Sequence, residues 1–194
     1  MLDLHIIHAI KNGLNYYASS ANNFNNVFKQ ISTNLKTSYY NRFVELNQKI
    51  QLDIAYTNKV EKFPLITFYL DEAKVENVQA LGNQGINNLF ELNTQICQIN
   101  IYAETPTDIR ILHQLIKASL LMFKKDFLNN GYLDLRYVDS KDLDPVENIS
   151  GEGNIVYNRQ LSYVGQIHFV VDEIQADNAN TEYDWALNPS FPNN

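Results

Sequence analysis

The chain has 194 residues, a formal net charge of −7, 45% hydrophobic and 19% charged residues. That length fits one ordinary domain, with or without arms, and can bury roughly 70% of its unfolded surface without covalent staples. The acidic balance argues against tight wrapping of nucleic acid, which depends on Lys and Arg displacing counterions from phosphate; the longest basic run is Lys124-Lys125. One cysteine, Cys97, excludes an internal disulfide and fits a reducing compartment. The start MLDLHIIHAIKNGL lacks the basic lead and long apolar core of a signal peptide, and no run of about 18 apolar residues is present to span a membrane. The expectation is a soluble protein made inside the cell.

From Leu2 to Tyr17 the apolar positions Leu2, Ile6, Ala9, Ile10, Leu14 and Tyr17 recur at helical spacing, and Asp3 lies in the first turn, where the helix dipole favours an acid. SSANNFNN (Ser19–Asn26) reads as a polar break. Phe24, Phe28, Ile31 and Leu35 suggest a second short helix. Tyr39–Tyr56 is ambiguous, but its second half, KIQLDIAY, alternates as a strand. FPLITFYL (Phe63–Leu70) is a dense β-forming run with Pro64 near its start, where a missing donor is tolerated. The following DEAKVENVQALGNQGINNL reads as a long hairpin arm or a loop.

Thr94–Ala103 alternates again, with Cys97, Ile99, Ile101 and Ala103 on one face and Gln98, Asn100 and Tyr102 on a polar one. Thr105 then suits a helix N-cap, Pro106 the first helical position and Asp108 the acid of a capping box. Ile109, Leu112, Leu115, Ile116, Leu120, Phe123 and Phe127 predict one long helix to about Leu128, closed by Gly131 as a left-handed cap. Such a helix, about 34 Å long, would lie along a ten-residue strand of about 33 Å. YLDLRYV (Tyr132–Val138) predicts another strand, and DSKDLDPVENISGEGN a long polar connection. From Ile155 to Val171 every second residue runs Ile155, Tyr157, Arg159, Leu161, Tyr163, Gly165, Ile167, Phe169, Val171. A strand that long either bends at Gly165 or leaves the domain and pairs with another chain. The tail from Asp177 is polar with isolated aromatics and reads as an arm ordered by a partner.

These elements predict an α+β fold: a mostly antiparallel sheet with one long helix packed on one face, an N-terminal helix and an extended C-terminal arm. The organisation is one domain over residues 1–176, with a helical segment at 1–36, a core at about 48–173 and an arm at 177–194.

The chemistry-bearing residues form no recognisable constellation. His5 and His8 stand three apart on the first helix, with no third metal ligand near them in sequence. DSKDLD (Asp139–Asp144) lacks the glycine and closing glutamate of a calcium loop. Cys97 sits on an apolar strand face as a small hydrophobe; nothing in sequence places His113 beside it as a base, and there is no G-x-S-x-G elbow. GNQG (Gly82–Gly85) and GEG (Gly151–Gly153) lack the strand-to-helix context and lysine of a phosphate cradle. Arg159 interrupts an apolar strand face: it either snorkels or pairs with an acid, Glu147 or one from another subunit. The expectation is no catalytic, metal or cofactor site.

Three stretches carry a resemblance: KFPLITF (Lys62–Phe68); the strand QINIYA leading into a helix with few charges (Gln98 to about Leu128); and the Asn/Glu-rich loop before VYNRQLSYVGQIHF (Val156–Phe169). Their organisation resembles the tail-terminator and neck-ring proteins of tailed bacteriophages, over about Phe63–Val171. The resemblance implies a structural virion protein, assembled in the host cytoplasm, that forms a homo-oligomeric ring, six-fold favoured and twelve-fold possible. Such a ring caps the tail tube, joins it to the connector or portal side, and lets genomic DNA pass through its lumen without specific binding; no membrane is involved. Arg159, Tyr157, Tyr163, Glu147 and Trp185 are the candidate subunit-interface residues. Residues 19–57 and the tail after Asp177 depart from the compact family pattern. The alternatives are a small hydrolase and a secretion-system-like assembly module.

Overall fold

The computed structural model describes residues 2–54, 63–76, 88–147 and 155–172, with the backbone alone described at residues 3, 71–76, 88–93, 146–147 and 167–172. The described elements run α1 (Leu2–Ala18), α2 (Ala21–Val27), α3 (Thr33–Asn47), β1 (Gln51–Ile54), β2 (Leu65–Glu76), β3 (Asn88–Ala103), α4 (Pro106–Met122), α5 (Lys124–Asn129), β4 (Tyr132–Glu147) and β5 (Ile155–Asp172). The strands form one mixed sheet in the order β1-β2-β3-β5-β4. β1 runs parallel to β2 and every other pairing is antiparallel, so the α+β class and the mostly antiparallel sheet stand as read.

The helices form because each has one apolar stripe to bury. All six positions expected on the first helix are buried in α1. α4 starts as its sequence dictates: the Thr105 hydroxyl accepts from the Asp108 N–H at 3.1 Å, with Pro106 behind it. α4 is buried on several sides, at Ile109, Ile111, Leu112, Leu115, Ile116 and Leu120, because it packs on β3 and β5 while touching α1, α2 and α3. α1 crosses it closely. A Cβ built on Gly13 would stand 2.0 Å from the Ser119 Oγ and 2.4 Å from its Cβ. Glycine in a helix interior costs about 0.5–1 kcal/mol relative to alanine; here its missing side chain is the space that Ser119 fills.

The helical layer differs from expectation in three places, the first being that α2 (Ala21–Val27) occupies most of the stretch expected as a polar break. α3 continues helical structure to Asn47, past residue 36, burying Tyr39, Phe43 and Leu46 and leaving Leu35 exposed. Phe24 stacks on both Phe28 (4.6 Å) and Phe43 (5.6 Å), so an aromatic cluster, rather than a continuous stripe, holds α2 to α3. The single helix from Pro106 to Leu128 is in fact two. Phe123 leaves helical geometry at φ −90, ψ 10, α5 follows it, and Phe127 is thereby buried edge-on against Tyr132 at 5.9 Å. Gly131 takes the left-handed conformation expected of it, φ 87.

The sheet departs further. Asp139–Glu147, expected as a polar connection, is the second half of β4. Its charges and Pro145 are tolerable because β4 is an edge, where charge, proline and bulges discourage further pairing; register shifts interrupt it at Tyr132/Asp134, Tyr137/Asp139 and Leu143/Val146. β5 is interior. It pairs with β3 from Tyr157 to Asp172 and with β4 from Ile155 to Ile167. It is therefore paired on both sides from Tyr157 to Ile167, and from His168 to Asp172 it pairs with β3 alone among the described residues.

The strand is nevertheless longer than its cover. α1 and α4 have 17 residues each, about 25 Å, whereas the 18 residues of β5 span about 60 Å. A Cβ built on Gly165 would meet the Leu2 side chain at 2.9 Å, so the start of α1 lies over Gly165. Beyond that point β5 continues to Asp172, paired with β3 back to Asn88, while β2 runs to Glu76 opposite Leu92. An extension thus continues about 23 Å past Gly165, three-stranded to Leu92 opposite His168 and a two-stranded β3–β5 ribbon from there to Asn88 opposite Asp172. The arm at 177–194 lies outside the described residues.

The helix crossing yields a direct test. Gly13→Val forces α1 off Ser119, and overpacking of this kind costs about 1–3 kcal/mol. Urea denaturation is expected to show that loss with an unchanged slope, and an unchanged midpoint would show that the helices separate freely.

Candidate functional site: a groove beside the sheet edge

Three features gather the side chains that could act on something else. The first is a groove of about 780 Å³ between the C-terminal end of α1, α2, α4 and β4, within the roughly 300–1,000 Å³ range of ligand clefts. Its floor is Leu135, Tyr137 and Tyr163; its helical wall is Ala118, Leu121 and Met122. Leu121 is 73% exposed and Met122 41%. Its cations are Lys117, Lys124 and Arg136. The Lys117 Nζ stands 3.9 Å over the Tyr137 ring, and Lys124 lies 3.5 Å from Asp134. Tyr163 meets Tyr137 edge-on at 5.5 Å, and burial, then Tyr137 and Cys97, raise its pKa well above the usual phenol value. Tyr163 is therefore a neutral, packed ring.

The second feature is a charged cluster on the helix-facing side of β5. Arg159 donates from Nε to Asp142 Oδ1 at 2.5 Å and from Nη2 to Oδ2 at 2.8 Å. The two residues stand directly opposite in the β4–β5 register, the geometry in which a cross-strand ion pair forms. The Arg159 guanidinium holds the Asp142 carboxyl below its usual range, and Asp142 in turn raises Arg159. His113, on α4, is 6% exposed, and neither ring nitrogen has a hydrogen-bond partner. Burial, then the positive charges of Arg159 and Lys117, push its pKa down from 6.5 to about 4, against a smaller opposing pull from Asp142. His113 is a neutral core residue at ordinary pH.

The third feature ties α3 to the start of α4. Arg42 donates from Nε and Nη2 to the two carboxylate oxygens of Asp108, both at 2.8 Å. Asp108 is 2% exposed, and its carboxylate serves this fork. Such a bidentate pair fixes direction as well as distance.

The opposite face of the sheet is polar but partly buried. Gln160 Nε2 donates to Gln98 Oε1 and to Asn100 Oδ1, each at 3.0 Å, and Thr67, Asn100 and Asn158 are buried. The polar face expected for β3 is thus an amide network rather than a fully solvated surface. His5 bonds Tyr132 at 3.2 Å and His8 bonds Asn12 at 2.8 Å. Among the described residues, no three His, Cys, Asp or Glu stand together as a metal-binding group. Among them, too, no helix is long and apolar enough to cross a membrane.

The expected interface residues separate. Tyr157, Arg159 and Tyr163 share one face of β5, toward the chain's own helices: Tyr157 is half-buried, and Tyr163 lines the groove. Arg159 pairs within the chain with Asp142, which lies opposite it once β4 extends to Glu147. Glu147 ends β4 opposite Ile155 and its side chain lies outside the described residues, as does Trp185. Asp142 and the groove residues other than Tyr163 were not singled out by the sequence as site residues. The groove joins residues from Tyr16 to Tyr163, and only the fold brings them together.

No family model matches the chain, and no curated protein matches it either.

His113 generates a test with a fixed sign. An unfolded histidine binds a proton below about pH 6.5, whereas the buried one resists until about 4, so the unfolded state holds more protons between those values. Stability therefore falls as pH drops through that window, by on the order of 3 kcal/mol. Chemical denaturation across pH is expected to show a shallower slope for His113→Leu than for the parent. Equal slopes would mean that His113 is solvated.

Proposed function

We propose that this chain is a structural subunit that assembles into a ring in the neck or tail of a tailed phage. There it terminates the tail tube and meets the head-side connector around a DNA channel. The observation that carries the reading is the mismatch between sheet and cover. A bare strand ribbon is marginal in water, and an extension about 23 Å long gains stability by lying against something else. The alternate positions 167, 169 and 171, which are Ile, Phe and Val, continue the apolar series that begins under the helices. In a ring, one copy's extension lies on the next copy's body, a head-to-tail contact that closes when the rotation per subunit divides the circle.

The edges support that mode over simple strand-to-strand joining. β4 carries Pro145, several charges and three register shifts, the devices by which edges resist augmentation. Packing of the extension, rather than continuation of the sheet through β4, is therefore the contact this reading uses. The net charge of −7 would let DNA slide through the lumen without adhering. The strand-to-helix corner at Ala103–Pro106, where many α/β enzymes carry catalytic groups, serves here to start α4 and to hold Asp108 on Arg42.

Light scattering with negative-stain imaging tests the reading. The expected result is a closed ring of a fixed number of copies with a central opening, six being favoured, either alone or once tail-tube and connector proteins are added. A monomer under all those conditions would overturn it.

A further inference from the structure

The groove lined by Leu121, Met122 and Tyr137 is too apolar and too exposed to be only a crease in the surface. It also concentrates positive charge on an acidic protein, at Lys117, Lys124 and Arg136. A segment of opposite character exists in the same sequence. After Arg159 the chain has no lysine or arginine, while Asp172, Glu173, Asp177, Glu182 and Asp184 follow. The last two of these flank Tyr183 and precede Trp185, Leu187 and Phe191. We propose that the groove receives Glu182–Phe191 of a neighbouring copy. Trp185 sits against Leu121, Met122 and Tyr137, and Glu182 and Asp184 face Lys117 and Arg136.

Reach permits either copy's groove, and direction favours a neighbour over the same chain. The groove touches β5 at Tyr163, and β5 then carries the chain nine residues further, to Asp172, about 30 Å away along the strand. Trp185 is thirteen residues beyond Asp172, a span of up to about 45 Å. A copy placed ahead of the extension is reached without reversing the chain. A tail-in-groove contact is heterologous, with different surfaces on the two partners, which is the kind a closed ring uses. Large aromatic side chains in desolvated pockets dominate such contacts. The inference rests on the ring reading above and names the segment and surface that would join its subunits.

Trp185 is the only tryptophan in the chain, so its emission in the full-length protein reports the segment directly. At concentrations where light scattering finds assembled protein, the emission is expected to be blue-shifted, as for a desolvated indole. Dilution to monomer should remove the shift. So should Leu121→Asp and Arg136→Glu, both at exposed positions, with circular dichroism unchanged. Solvent-like emission from assembled protein would overturn the inference and leave the ring reading standing. A blue shift that persists in the diluted monomer would place the segment in its own groove and overturn the neighbour assignment. A shift unaffected by Leu121→Asp would reject this groove as the site. Monomer with solvent-like emission at every concentration would overturn both readings.

Discussion

Sixteen consecutive register positions join β3 to β5, from Asn88 opposite Asp172 to Ala103 opposite Tyr157, and the rest of the molecule is arranged around that ladder. Sixteen residues of strand reach about 54 Å, roughly twice what a 17-residue helix covers at 1.5 Å per residue. No packing of α1 and α4 can shield the whole ladder. The chain resolves this by concentrating its core at one end. Ile99, Ile101, Leu161 and Phe68 lie under α1 and α4 there, and each such buried side chain contributes about 1.5–3 kcal/mol. At the far end the backbone pairing of Asn88–Asn93 with Ile167–Asp172 continues past the helices, with a net contribution of only about 0.5–1.5 kcal/mol per hydrogen bond.

Placement of the helical cover then depends on a few polar and steric devices. The crossing at Gly13 and Ser119 brings α1 close to α4. The Arg42–Asp108 fork fixes where α4 begins relative to α3, and Lys124 and Phe127 tie α5 to β4 through Asp134 and Tyr132. The break at Phe123 has a functional consequence under the proposed reading. It ends α4 with Leu121 and Met122 exposed beside β4, and so makes the helical wall of the groove.

The sequence disclosed the elements whose burial is one-sided. α1 showed its six buried positions because only one of its faces is covered, and β5 showed its alternation because its two faces differ in polarity. The start of α4 was legible because capping is local chemistry: Thr105, Pro106 and Asp108 act within one turn. The second half of β4 was hidden because an edge strand tolerates charges and proline that read as loop; Asp142 looked solvated until β5 placed Arg159 opposite it. α3 buries Tyr39, Phe43 and Leu46 at helical spacing, but that short stripe runs into the alternation of KIQLDIAY, and Leu35, one turn before it, is exposed. Gly13 did carry a signal, since a glycine in the middle of a helical pattern costs stability and needs a packing reason. The groove as a whole carried none, because residues of six separate elements build it.

In the proposed assembly the sheet beyond Gly165 finds its cover on another copy. Hydrogen–deuterium exchange measured on the full chain, dilute and assembled, tests this most directly. Amides of residues 88–94 and 166–172 are expected to exchange readily in dilute protein and to become protected on assembly, while amides of α1 and α4 stay protected throughout. Equal protection of the extension in both states would contradict it.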